Sequence, residues 1–286
     1  MFIYSCFYCF SRFLDRAAMA RAKDFTIQEQ SILRDPWRLC TVTQVEEVKC
    51  VLRLLPIWLC TIVYSVVFTQ MASLFVEQGA AMDTKIAGFR IPPASMSAFD
   101  IISVAIFILL YRHLIHPIVT SIRNDPRGLT ELQRMGVGLI IAVLAMASAG
   151  IVEHFRLKQA EGGSSTMSIL WQVPQYVLIG ASEVFMYVGQ LEFFNDQAPD
   201  GMKSFGSALC MTSISLGNFA SYLVVTVVMN ITQEGGECGW IPADLNRGHM
   251  DRFFFLLVAL SSVDFVVYLV CAKWYQGTNW RGKCEG

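Results

Sequence analysis

The sequence predicts an all-α membrane protein with six transmembrane helices, and three observations carry that reading. Of its 286 residues 54% are hydrophobic and only 16% charged, a balance more apolar than a soluble domain of this length. Six runs are long and apolar enough to cross a bilayer, which takes about 20 residues at about 1.5 Å each for a core of about 30 Å. The segments between them collect turn formers and charge. Strands in lipid must close into a barrel, so helices are the open architecture that fits such runs.

The spans fall at residues 54–76, 91–111, 135–152, 167–191, 205–231 and 253–272. Three of them are uncharged; the second holds Asp100, the fourth Glu183 and the last Asp264. Loops are expected at 77–90, 117–134, 153–166, 195–204 and 232–252. Ahead of the first span, residues 11–53 carry eight basic side chains, and Asp35-Pro36 divides them into two short stretches expected to be helical.

Orientation follows from where Lys and Arg lie. The side holding residues 11–53, the loop from Arg112 to Arg134, Lys203 and the tail from Lys273 carries sixteen, and the other side six. Both termini are therefore expected in the cytoplasm, and an even number of spans agrees in placing them on one side.

Several function classes drop out. Net charge is −1 and no Lys/Arg-rich tract occurs, so nucleic acid is not an expected partner. The nine cysteines lie mostly in or beside apolar runs and make no disulfide framework. Cys6-x-x-Cys9 lacks a second ligand pair, and His113 and His116 lack an acidic or cysteine partner, so neither pair predicts a metal. No cofactor is expected. Enzyme signatures are missing too: there is no Walker loop, no His-Glu-x-x-His and no Gly-x-Ser-x-Gly. Asn230-Ile-Thr232 is a glycosylation sequon placed at the mouth of a span.

Glu183 is the strongest candidate site residue. It lies inside an otherwise uncharged span, where an unpaired carboxylate is costly and marks a functional site by default. Its plain alternative is a hydrogen bond or ion pair that holds helices together. Gln172, Tyr176, Gly180, Glu183, Tyr187 and Gln190 recur at steps of three or four, a spacing that places them on one helical stripe and predicts cavity lining. On the first span Tyr64 and Phe68 are one turn apart and suit a cavity, whereas Gln70 points elsewhere, toward a neighbouring helix. Asp264, with Ser261, Tyr268 and Cys271 on its face, is a secondary candidate whose main reading is structural. Asp100 is expected near water at a helix end.

The sequence resembles the plant nitrate and peptide transporters, within the proton-coupled oligopeptide transporter family of the major facilitator superfamily. The strings that carry the resemblance include Leu55-Pro-Ile-Trp58, Arg90-Ile-Pro-Pro-Ala-Ser-Met96, Gly128-Leu-Thr-Glu-Leu-Gln-Arg134, Val173-Pro-Gln-Tyr176, Gly189-Gln-Leu-Glu-Phe-Phe194 and Lys273-Trp-Tyr275. The runs at 64–75 and 179–190 look most like the subfamily of nitrate transporters that load and unload the xylem, some of which are also credited with exchanging potassium for protons.

The resemblance covers residue 11 onward and implies the carboxy-terminal bundle of a major facilitator fold. It divides the chain into a lead-in at 1–10 unlike the family, a cytoplasmic linker at 11–53, the bundle at 54–275 and a cytoplasmic tail at 276–286. It further implies an expected truncation, with a partner half of six helices missing, and a plasma-membrane location. Glu183 matches an acidic residue that faces the family's central cavity, pairs with a base from the other half and contacts substrate. Some nitrate-transporting relatives carry a histidine where this chain has Phe68, so that mode of anion binding is not expected here.

The expected function is thus half of a proton-coupled transporter for nitrate. Potassium/proton exchange or peptide transport by the same fold stands beside it, as does a non-transporting membrane subunit. Substrate and proton would bind near the midplane between two bundles that rock. Burial favours a protonated carboxyl and a nearby base the charged one, so geometry alone switches such a group.

Overall fold

The computed structural model describes residues 25–28, 31–34, 41–86, 88–123, 128–162, 167–198, 203–233, 239–242 and 245–275. The lead-in, most of the linker, the tail and the Cys6/Cys9 pair lie outside the described residues.

Among the described residues six helical spans are long and apolar enough to cross a membrane, as expected. The first is α1 (Val42–Ala72), continued past a break at Ser73 by α2 (Leu74–Ala80). The second comprises α3 (Ser97–Leu110), a π-helical turn at Tyr111–Ile115 and α4 (His116–Arg123). The remaining four are α5 (Glu131–Glu161), α6 (Val173–Gln197), α7 (Lys203–Thr232) and α8 (Met250–Trp274).

The helices run well beyond their apolar stretches. Thr41 caps α1 by accepting from Gln44 N at 3.3 Å while the Gln44 side chain accepts from Thr41 N at 3.0 Å. Thr130 and Gln133 make the same reciprocal pair at the start of α5. Polar residues with good helix propensity then extend the backbone ladder outside the hydrocarbon, where hydropathy gives no signal. So α1 begins inside the segment read as linker, and α5 continues through Glu161 where a loop was expected from residue 153.

A second correction concerns the linker. Where a helical stretch was expected before Asp35-Pro36, β1 (Phe25–Gln28) pairs antiparallel with β2 (Ser31–Arg34) in the register Phe25 to Arg34. Phe, Thr, Ile and Leu at these positions suit strands better than a helix. A smaller hairpin, β3 (Lys85–Ile86) with β4 (Phe89–Arg90), sits in the first loop and turns at Gly88, whose φ of +84° favours glycine.

Helix α6 is the hub, packing on α1, α3, α5 and α7, while α5 also packs on α8 and α1 on both α7 and α8. Its contact with α5 is close because Gly138 has no side chain: a Cβ there would lie 2.8 Å from Met186 N. In lipid such tight van der Waals packing, rather than hydrophobic expulsion, holds helices together. The core it organises contains Leu54, Ile57, Phe75, Met146, Phe194, Phe253 and Leu257, all at 1% exposure or less. By contrast, α3 and α7 leave most of their apolar surface outside the bundle. These are the faces turned to lipid or to further protein.

Candidate functional site

The first turns of the site come from α6. Glu183 is half-buried there, and Tyr187 one turn on stands edge-to-face against two rings of α1, Tyr64 and Phe68, each with centroids 5.3 Å away. Edge-to-face stacking of this kind fixes ring orientation as well as adding contact energy. Tyr64 is almost fully buried; its hydroxyl lies 3.2 Å from Ser182 Oγ, which donates to the Gly138 carbonyl at 2.8 Å. Tyr187, Tyr64 and Phe68, all picked from the sequence, therefore stack together, and Glu183 lies one turn before Tyr187 on α6.

Gln190 does not join them. Fully buried, it donates to Ser213 Oγ at 2.8 Å and ties α6 to α7. The other end of the predicted stripe is closed as well. Gln172 donates to the Phe75 carbonyl at 2.8 Å and to Gln78 Oε1 at 3.0 Å, and Tyr176 packs edge-to-face on Phe75 at 5.5 Å. Elements α2 and α7 cover both ends of the stripe and α3 covers Gly180, so within it only Glu183 and Tyr187 keep partial exposure. Gln70, read as pointing to a neighbour, donates to Ser221 Oγ of α7 at 2.8 Å.

Asp264 lies apart from this group. It is 7% exposed on α8, beside Cys60 of α1 and Cys271 of its own helix, with Oδ2 lacking a hydrogen-bond partner. Ser261 and Tyr268 on its face bond to the Leu257 and Leu132 carbonyls, so that face is a packing surface.

Two features escaped the sequence reading. Asp100, expected near water, is only 5% exposed and lies against α6 next to Gly180. Its signal was Ser103, one turn on, which donates to the Val177 carbonyl at 2.8 Å and marks the same buried face. The second is a polar network at the opposite end of the bundle from Arg134. Arg156 donates to Glu153 through Nη2 at 2.6 Å and Nε at 2.9 Å, and Gln78 donates to Glu153 Oε2 at 2.9 Å. Gln172 and Gln175 both donate to Gln78 Oε1 at 3.0 Å, and Arg156 reaches Asn246 Oδ1 at 2.6 Å. The three-residue acid-to-base step, with no turn former until Gly162, was the available signal. Near the start of α5, Arg134 pairs with Glu192 of α6 and lies over the Tyr111 ring at 4.8 Å.

Chemically, this part of α6 offers a carboxyl one turn from a cluster of phenol and phenyl rings. Neither Glu183 nor Asp100 makes an ion pair among the described residues. Such a site holds a proton or a cation, or meets a base brought by another element. Six apolar helices packed around α6, with one acidic and aromatic turn left partly exposed, define an integral membrane helical bundle.

The chain belongs to the POT family, whose sequence profile matches residues 11–241. Among Arabidopsis thaliana proteins it is 63% identical to Protein NRT1/PTR family 7.3 over 96% of this chain and 46% of the relative, and 65% identical to Protein NRT1/PTR family 7.2 over 93% and 47%. It thus spans about half the length of the curated relatives it matches. Its fold superposes on the crystal structure of an auto-inhibited POT family peptide transporter with a TM-score of 0.69 at 25% identity, covering 83% of this chain and 43% of that one. The transporter PepTSo gives 0.64 at 26% identity, covering 81% and 43%.

Proposed function

We propose that this bundle is the carboxy-terminal half of a proton-coupled secondary transporter whose substrate is nitrate. The observation that carries the proposal is the half-buried Glu183, unpaired within an apolar span and one turn before Tyr187, whose ring stacks on Tyr64 and Phe68. In this reading Glu183 alternates between a protonated state and a charged state paired to a base from a second six-helix bundle. Rocking of the two bundles exposes the pocket to each side in turn. Tyr187, backed by Tyr64 and Phe68, shapes the surface that the substrate meets beside Glu183. Both termini face the cytoplasm, and the plasma membrane is the proposed location.

A second reading has a specific observation behind it. No Lys, Arg or His lies in the apolar middle of the six spans, so this half offers no fixed positive charge to an anion. Exchange of potassium for protons by the same pocket needs none. Peptide transport by the same fold is the further alternative.

The test is a chimera joining the first half of the Arabidopsis relative NRT1/PTR family 7.3 to residues 11–286 of this chain. Proton-driven nitrate uptake by the chimera supports the proposal. Potassium efflux driven by protons, without nitrate uptake, selects the second reading. A chimera that reaches the surface and moves neither ion nor a dipeptide, while this chain lowers transport by a co-expressed relative, identifies a non-transporting subunit.

A further inference from the structure

We propose that Asp100 and Glu183 form one proton-sharing carboxyl pair, so that the proton site of this bundle is built from α3 and α6 together. The inference rests on the transport reading above and adds a second carboxyl to the same pocket.

The geometry starts at Gly180, one helical turn before Glu183. A Cβ at Gly180 would lie 2.7 Å from the Asp100 carbonyl oxygen, 2.9 Å from its Oδ1 and 2.9 Å from Ser103 Cβ. Only a residue without a side chain lets α3 approach α6 so closely that the Asp100 carboxyl rests one turn from Glu183. The Ser103 hydrogen bond to the Val177 carbonyl at 2.8 Å holds that crossing in place.

The surroundings of Asp100 leave it incomplete. It is 5% exposed, and Oδ1 has no hydrogen-bond partner. The titratable groups within electrostatic reach of it are Tyr176, itself fully buried with an unpartnered hydroxyl, and Glu183 on α6, and Tyr64 on α1. No Lys, Arg or His among the described residues pairs with either carboxyl. Two carboxyls one helical turn apart, one of them buried and neither with a counter-ion, resist double ionisation, and a proton shared by the pair supplies the donor that Asp100 Oδ1 lacks. Such a pair binds and releases protons in two coupled steps that belong to both groups.

The test uses the chimera described above, with uptake across a pH range normalised to surface protein and with carbodiimide labelling of Glu183, which reports its protonated carboxyl. The parent is expected to show two titration steps. Asp100→Asn keeps size and polarity and is expected to remove one step and lower the labelling of Glu183. Gly180→Ala leaves both carboxyls present and separates α3 from α6, so the same loss is expected; it carries the test if Asp100→Asn does not reach the surface. Two unchanged steps and unchanged labelling in both variants overturn the pair while Glu183→Gln still abolishes the pH dependence. If Glu183→Gln also changes nothing, the transport reading itself falls. Protection of Glu183 from labelling by potassium but not by choline, at fixed pH, overturns the shared proton in favour of a bound metal cation.

Discussion

Arg156 and Glu153 meet one helical turn apart on α5, at 2.6 Å, with side-chain exposures of 3% and 0%. Charges buried this deeply repay their desolvation only when every hydrogen bond is made, and Gln78, Asn246 and the Leu245 carbonyl complete the set. Removing one member strands the other. Arg156→Ala is therefore expected to cost about 3 to 5 kcal/mol through the unpaired Glu153. Replacing the pair by Leu at 156 and Met at 153 is expected to cost much less. Thermal unfolding of the detergent-solubilised chimera, followed by fluorescence, reads both; equal losses would contradict the account.

Glu183→Gln preserves size and hydrogen bonding and removes the charge. In the chimera it is expected to flatten the pH dependence of uptake while surface expression stays at the parent level. An unchanged profile from acidic to neutral pH would assign Glu183 to packing alone.

Asp264 is buried like Asp100, yet its neighbours are thiols and a packing face. Asp264→Asn is expected to leave the pH profile intact and to produce a milder transport defect than Glu183→Gln. A flattened profile would move Asp264 into the coupling machinery.

Gly138→Val places atoms where Met186 N and Cβ already lie, within 2.9 Å of a Cβ at that position. Overpacking of this kind costs about 1 to 3 kcal/mol, so the melting temperature should fall and the α5–α6 contact loosen. Cysteine crosslinking between α5 and α6 should become less efficient in parallel; unaltered crosslinking would show that the helices absorb the side chain without separating.

Residues 1–286 expressed alone are expected to insert in the membrane and to catalyse no proton-driven uptake, because the proposed mechanism pairs Glu183 with a base from a second bundle. A tag at Gly286 should be reached by antibody only after permeabilisation. Uptake by this chain alone, or a tag accessible on intact cells, would contradict the half-transporter reading or its orientation respectively.

What the sequence revealed and what it hid follow one physical rule. Hydropathy reports contact with lipid, so it located all six spans while missing their polar extensions, as at Val42 and Glu161. It also cannot distinguish a charge in a loop from one buried beside its counter-ion, which is why Glu153 and Arg156 were assigned to a loop. Helical spacing put Glu183 and Tyr187 on one face with Gln190, but which neighbours close over that face is a tertiary fact: Ser213 comes from another helix. Asp100 was misplaced for the same reason, since its burial depends on Gly180, far away in sequence. The linker hairpin was lost to a Pro read as a divider of helices, when strand-forming residues just before it carried the stronger signal.

The bonds between α1 and α7 have a consequence for biosynthesis. Trp58 donates to the Leu209 carbonyl and Gln70 to Ser221, each across 151 residues of sequence, and Thr69 donates to Asn218 across 149. At translation rates of about 5 to 20 residues per second, α1 leaves the ribosome roughly 8 to 30 s before its partner does. For that interval the Gln70 amide and the Trp58 indole have no interhelical acceptor, and must be sheltered by the insertion machinery or by water at the lipid boundary. Pairing of α1 with its partner is therefore timed by the fifth span, and ribosome stalling before residue 209 should leave α1 exposed to quality-control proteases.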